Sequence, residues 1–302
     1  MTDLQNIIGK IKEIEDEKNK EEESKFVRDK RILKLNKNAT YIGTLLPYKP
    51  DLTKTFERYS KIGFMSPVNE KYIFLGRSPG DVGVKEDIVR NTQWAEYQKA
   101  VEAGDETARK AACKLIPQKE RLVNFYLHKV IGDDTQKEKE GTVVVLAYPA
   151  QTDKEGNPSS EIFKKIHNAV WGDKAKKIGE RAFDMTEKGK VLVIKVTEKA
   201  KFNNYSETEF DDIDEEMVKT KAQIEEIEKS THNLSEFIPE VKSQDELKKL
   251  LDEYWHGTNP STDDSLDSSE TPDDDDIPGL EDTGDDDDSS SGDVNLDELL
   301  KD

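Results

Sequence analysis

The chain has a single cysteine, Cys113, so neither an internal disulfide framework nor a multi-thiolate zinc site is open to it. Its four histidines, His128, His167, His232 and His256, are scattered without metal-ligand spacing. There is no run of about 18 apolar residues, so the sequence offers no helical membrane span. Residues 1–24 carry eight acidic and four basic side chains, too many charges for a secretory signal. Only 33% of the chain is hydrophobic, enough for one domain of ordinary size with polar appendages. A soluble intracellular protein is expected.

Enzyme signatures are also missing. The glycines of residues 76–84, GRSPGDVGV, lack the Lys-Ser/Thr pair and the strand-to-helix setting of a phosphate-cradling loop. Cys113 sits in Ala-Ala-Cys-Lys without a partner that would make it a nucleophile. Acidic pairs are abundant, but in a chain that is 37% charged they read as solvated faces. No catalysis and no metal or other cofactor is expected.

What the chain does have is charge sorted by position. Residues 258–302 hold 18 acidic side chains and one basic one, Lys301, a net of −17 out of −20 for the whole chain. Residues 25–205 hold 35 Lys/Arg against 24 Asp/Glu, a net of +11, whereas residues 206–257 sum to −10. A basic body beside an acidic tail points to a polyanion binder whose tail can imitate the polyanion.

Three segments follow from this. Residues 1–24 form an N-terminal arm, in which Leu4, Ile7, Ile8, Ile11 and Ile14 make a helical stripe over residues 4–23. Residues 25–257 form the core. Beta-like runs are predicted at Arg31–Leu35, Thr40–Leu46, Phe56–Met65, Lys71–Leu75, Leu122–Ile131, Thr142–Tyr148 and Lys190–Thr197. Helices are predicted near 86–113, 160–170 and 173–181, then around Ile213 to Ile227 and Leu247 to Tyr254. The class is mainly β with helical insertions (α+β), and the pattern suits a small barrel better than a βαβ repeat. Residues 258–302 form a tail with little to bury, expected to be disordered. Its end restores hydrophobic residues at helical spacing, making Leu296, Leu299 and Leu300 a candidate docking tip.

Within the basic core, aromatic residues stand beside cations. Arg58 adjoins Tyr59 and Lys61, Lys71 adjoins Tyr72, and Trp94 and Tyr97 share one stretch. The run from Arg121 to Lys129 contains Phe125 and Tyr126, and Lys199 and Lys201 precede Phe202 and Tyr205. Single-stranded nucleic acid binds such mixtures because bases stack on rings while cations follow the phosphates. Most rings in strands fill cores. Phe202-Asn-Asn-Tyr205 stands out because it reads as a polar loop after a strand.

With these residues in view, the chain resembles the single-stranded DNA-binding (helix-destabilising) proteins of T4-type bacteriophages over about residues 30–302. The matching pieces are Leu33-Lys-Leu35, Leu45-Leu-Pro47, and Phe202-Asn-Asn-Tyr-Ser-Glu-Thr-Glu-Phe210. Leu234-Ser-Glu236, Lys242-Ser, Asp245-Glu-Leu247, and the Asp/Ser tail ending in Leu296-Asp-Glu-Leu-Leu300 follow in order. The resemblance implies an OB-fold core with C-terminal helices, a single-stranded DNA cleft, and an arm for self-association on DNA. It also implies a tail that recruits replication and recombination proteins. The setting would be phage DNA replication, recombination and repair in the cytoplasm of a bacterial host. By position, Phe202 and Tyr205 match the family's aromatic DNA contacts. Tyr148 falls near another, and Lys119 and Arg121 near a basic stretch that Glu120 interrupts here.

Two departures stand out. T4-type members hold a structural zinc through one His and three Cys in the segment corresponding to about 60–95, where this chain has neither residue. Packing by Phe64, Phe74, Trp94 and Tyr97 is expected to replace it. The family's compact basic run in the arm is also missing; the Leu4/Ile7/Ile11 stripe is one route left to cooperativity, and the sequence leaves open whether the arm works without the basic run. Two other readings stay open: an acidic-tailed scaffold or chaperone for basic proteins without DNA affinity, and a DNA-processing enzyme with an OB-like domain.

Overall fold

The computed structural model describes residues 29–199 and 202–258. The predicted arm helix, Lys201, and the tail with Leu296, Leu299 and Leu300 lie outside the described residues.

The fold is α+β, built on an eight-stranded antiparallel sheet: β1 Ala39–Leu46, β2 Phe56–Met65, β3 Tyr72–Arg77, β4 Gln118–Ile131, β5 Thr142–Pro149, β6 Lys190–Lys199, β7 Phe202–Asn204 and β8 Glu209–Asp212. Strand β4 organises it. One edge pairs with β5, while the other pairs first with β2 (Arg58 opposite Arg121) and then with β1 (Leu45 opposite Phe125). Strand β6 follows on the far side of β1, and β8 and β7 share the outer edge of β6. The run expected at Arg31–Leu35 adds only one parallel bridge, Ile32 to Val145. Edge strands β7 and β8 come from segments read in the sequence as non-strand.

Five α-helices are found among the described residues: α1 Ile88–Ala103, α2 Glu106–Cys113, α3 Glu161–Val170, α4 Lys221–Lys229 and α5 Gln244–Tyr254. The single helix expected over 86–113 is two. Gly104 takes a left-handed φ of 66° and closes α1, and the Asp105 carboxylate then caps α2 by accepting from the Ala108 amide. Capping boxes start α4 (Thr220 with Gln223) and α5 (Ser243 with Glu246). Over 173–181 the expected helix is a series of turns that ends in a short 3-10 segment, Gly179–Phe183. No helix among the described residues is long and apolar enough to cross a membrane.

Alternation along the strands sorts side chains to two faces. Tyr41, Leu45, Val123, Phe125, Val144, Leu146, Leu192 and Ile194 point to the inner face, where α3 adds Ile162, Phe163 and Ile166. Helix α3 touches both β5 and β8 and so spans the two ends of the curved sheet. Leu46, Leu122, Tyr126 and Val191 point to the outer face, which residues 213–238 cover with Ile213, Met217, Ile224, Ile227, Leu234 and Phe237. Asn124, fully buried, ties this cover down, donating to the His232 carbonyl (3.0 Å) and accepting from its amide (2.9 Å).

A second core joins β2, β3, α1 and α5 through Ile62, Phe64, Leu75, Val89, Leu115, Leu247 and Leu251. Phe64 meets Trp255 edge-on at 5.2 Å. Of the other residues expected to pack this region, Phe74 lies beneath Lys242 (5.9 Å), and Trp94 and Tyr97 stack on each other at 6.0 Å. Among the described residues no group of three or more His, Cys, Asp or Glu could hold a metal ion.

Candidate nucleic-acid interface

Strand register brings part of the predicted set together. Arg121 lies directly between Arg58 on β2 and Tyr148 on β5, so the three share the inner face, and Lys119 follows two residues along β4 on that same face. Arg58 and Lys119 are exposed. The half-buried Arg121 guanidinium sits over two rings, Phe163 of α3 at 4.8 Å and Trp171 at 5.5 Å. Phe56 meets Trp171 edge-on at 4.9 Å and Phe183 at 6.2 Å. Each cation–π contact contributes about 0.5–2 kcal/mol depending on desolvation, so the two rings hold Arg121 in place.

Tyr148 is fully buried. Burial pushes its hydroxyl pKa up, and the neighbouring Arg121 pulls it partly back. Without an open ring face it cannot stack with a base here; its position supports Arg121 instead. Tyr126 is covered as well. It points to the outer face, 7% exposed, beneath Ile224 and Ile227, with the Lys219 ammonium 5.8 Å from its ring and His128 edge-on at 4.8 Å. The sequence shows the aromatic run but not the cover that arrives about a hundred residues later.

Phe202 and Tyr205 lie elsewhere. Phe202–Asn204 is not a loop: it pairs with Thr197–Lys199 of β6, putting Phe202 opposite Lys199, and Tyr205 packs against the main core. Both rings are half-buried. This hairpin adjoins the Ala39 end of β1, whereas Arg121 stands nine residues from Val130 along β4, roughly 30 Å of strand. Lys129 pairs with Glu216 at 3.5 Å on the far stretch of β4. Tyr97 belongs to α1, away from the sheet face, stacked with Trp94.

The residue that sequence reasoning missed is Trp171, immediately after α3 and 49% exposed. Its signal was present: Trp171-Gly-Asp-Lys-Ala-Lys-Lys177 sets a ring beside three lysines.

Opposite charges occupy opposite faces. The cover of the outer face, residues 213–238, holds seven acidic side chains against three lysines, a net of −4, whereas Arg58, Lys119 and Arg121 mark the inner face at the β2 end. Directly behind them the carboxylate of Glu120, 7% exposed, accepts from Tyr59 and pairs with Lys61 at 3.3 Å, so the intervening acid is neutralised on the outer side. The glutamate that interrupts the basic stretch in sequence is thus removed from it by the pleat.

No protein-family model matches the chain, and no curated protein is similar to it in sequence.

Proposed function

We propose that this protein binds single-stranded DNA without regard to sequence and without catalysis. The observation that carries the reading is the cationic inner-face row Arg58–Arg121–Lys119, set against exposed and half-buried rings and backed by an acidic outer cover. Cations there would displace the counterions condensed on a phosphate backbone, giving an affinity that falls steeply with salt. Rings would take unpaired bases and discriminate against duplex, whose bases already stack on one another. Binding only the single strand shifts the melting equilibrium by mass action, a helix destabilisation that needs no ATP.

The sequence resemblance supports the same reading and extends it. On that basis the sheet is OB-like, the arm mediates self-association on DNA, and the tail recruits replication and recombination proteins in phage DNA replication, recombination and repair, in the cytoplasm of the bacterial host. The sheet contributes an antiparallel, strongly paired core with one helix across its opening, an arrangement compatible with that class.

The test is a salt titration of oligo-dT binding by the full chain and by residues 1–257. Binding by both, with a steep salt slope and a tighter truncation at low salt, is the expected result. Absence of binding by both overturns the proposal and favours a scaffold for basic proteins.

A further inference from the structure

We propose that Trp171 is a base-stacking platform of this interface, one that receives an unpaired base beside Arg121. The inference rests on the single-strand reading above and assigns a ring that sequence comparison did not single out.

Several observations point to it. Trp171 is the only ring among the exposed large hydrophobic side chains of the described residues, yet its backbone is fixed. Its amide donates to the His167 carbonyl at 2.8 Å, the Gly172 amide donates to the same oxygen at 3.0 Å, and the Lys174 amide donates to Asn168 at 3.0 Å. A side chain at residue 172 would press on the Asn168 backbone at 2.9 Å, so glycine is required for this tight exit from α3. The indole is braced by Phe56 on its edge, by the Arg121 guanidinium, and by His167 at 5.8 Å. A ring held this firmly, with half its surface in solvent, loses little conformational entropy on stacking.

Charge decides which partner fits. Arg121 lies against the Trp171 ring, Arg58 and Lys119 share its sheet face, and Lys174, Lys176 and Lys177 follow Trp171 in the chain, all three exposed. An apolar protein surface would leave these cations unpaired. A strand of phosphates would satisfy them while presenting a flat base to the ring. The occupant is therefore an unpaired base of single-stranded nucleic acid, with its flanking phosphates on the cations.

The experiment compares full-length wild type, Trp171→Ala and Trp171→Phe on oligo-dT and on an abasic strand of the same length, by affinity and by tryptophan fluorescence. Oligo-dT is expected to quench wild type, and Trp171→Phe should lose most of that quench. Trp171→Ala should bind oligo-dT roughly 5- to 150-fold more weakly, the span that stacking with one base contributes, and bind the abasic strand as wild type does. The abasic arm also shows that the variant is folded. Wild-type binding with equal quenching by both strands, or unchanged oligo-dT affinity in Trp171→Ala, overturns the platform while leaving the DNA reading intact. No oligo-dT binding by wild type overturns both.

Discussion

Acidification should expose how His128 is held. The ring occupies the bulge where β4 shifts register against β1, with Nε2 2.9 Å from the hydroxyl of the fully buried Thr44 and the ring edge-on to Tyr126. Burial, reinforced by the Lys219 ammonium, lowers its pKa from 6.5 to about 4. The folded state thus keeps the imidazole neutral while the unfolded chain protonates it at ordinary pH. The unfolded state binds the extra proton between the two values, so stability is intact above about pH 6.5, declines as pH falls, and levels off below about 4. The loss attributable to this one residue is about 2 kcal/mol at about pH 5, approaching about 3 kcal/mol at the plateau. The assay is urea unfolding of wild type and His128→Gln at a series of pH values, read as the difference between them. Taking the difference removes carboxylates such as Asp133, where burial is outweighed by hydrogen bonds from Thr135, Tyr41 and Asn36 that hold its pKa low; their contribution fades with acid in both proteins. His128→Gln should be the less stable protein at about pH 7.5 and regain about 2 kcal/mol on wild type by about pH 5. Parallel loss of stability in the two proteins would show that His128 is not held neutral, and the reasoning would fail.

Two further outcomes follow from packing. In Gly43→Ala the new methyl group would run into the Phe125 ring and the Tyr126 carbonyl at the β1 bulge; a loss of about 1–3 kcal/mol is expected in urea or thermal unfolding. Tyr126→Phe should leave oligo-dT affinity within about twofold of wild type, because the ring lies under α4 on the face away from Arg121; a larger loss would show that the outer cover opens on binding.

Much of the sheet was legible because β1, β2, β5 and β6 are runs of branched and aromatic residues bounded by turn formers. The start of β4, Gln118-Lys-Glu-Arg121, was not, since it carries no apolar residue and becomes strand only by pairing with β2. Nor was β8, Glu-Phe-Asp-Asp, where one phenylalanine among three acids gives no alternation and the edge is fixed by its backbone ladder to β6. For the candidate site, residue type was readable but direction was not. Parity along β4 sends Arg121 and Tyr126 to opposite faces, and nothing local says that one face is open and the other covered. Trp171 escaped notice for the converse reason. A tryptophan closing an amphipathic helix reads as core until the fold shows Phe56 and Arg121 bracing a ring that is half in solvent.

The outer cover has a consequence for how the chain is made. Strands β1, β4, β5 and β6 are complete once residue 199 has been synthesised, yet the residues that shield Leu46, Leu122, Tyr126 and Val191 come from 213–238. On the ribosome, then, a nascent chain would assemble its sheet with one apolar face bare until the acidic segment emerged to close it. During that interval the face is a site for misassembly or chaperone capture. A messenger truncated just before Ile213 would yield a protein that keeps its cationic row but sheds its cover, and the expected fate of such a product is aggregation rather than a smaller working version.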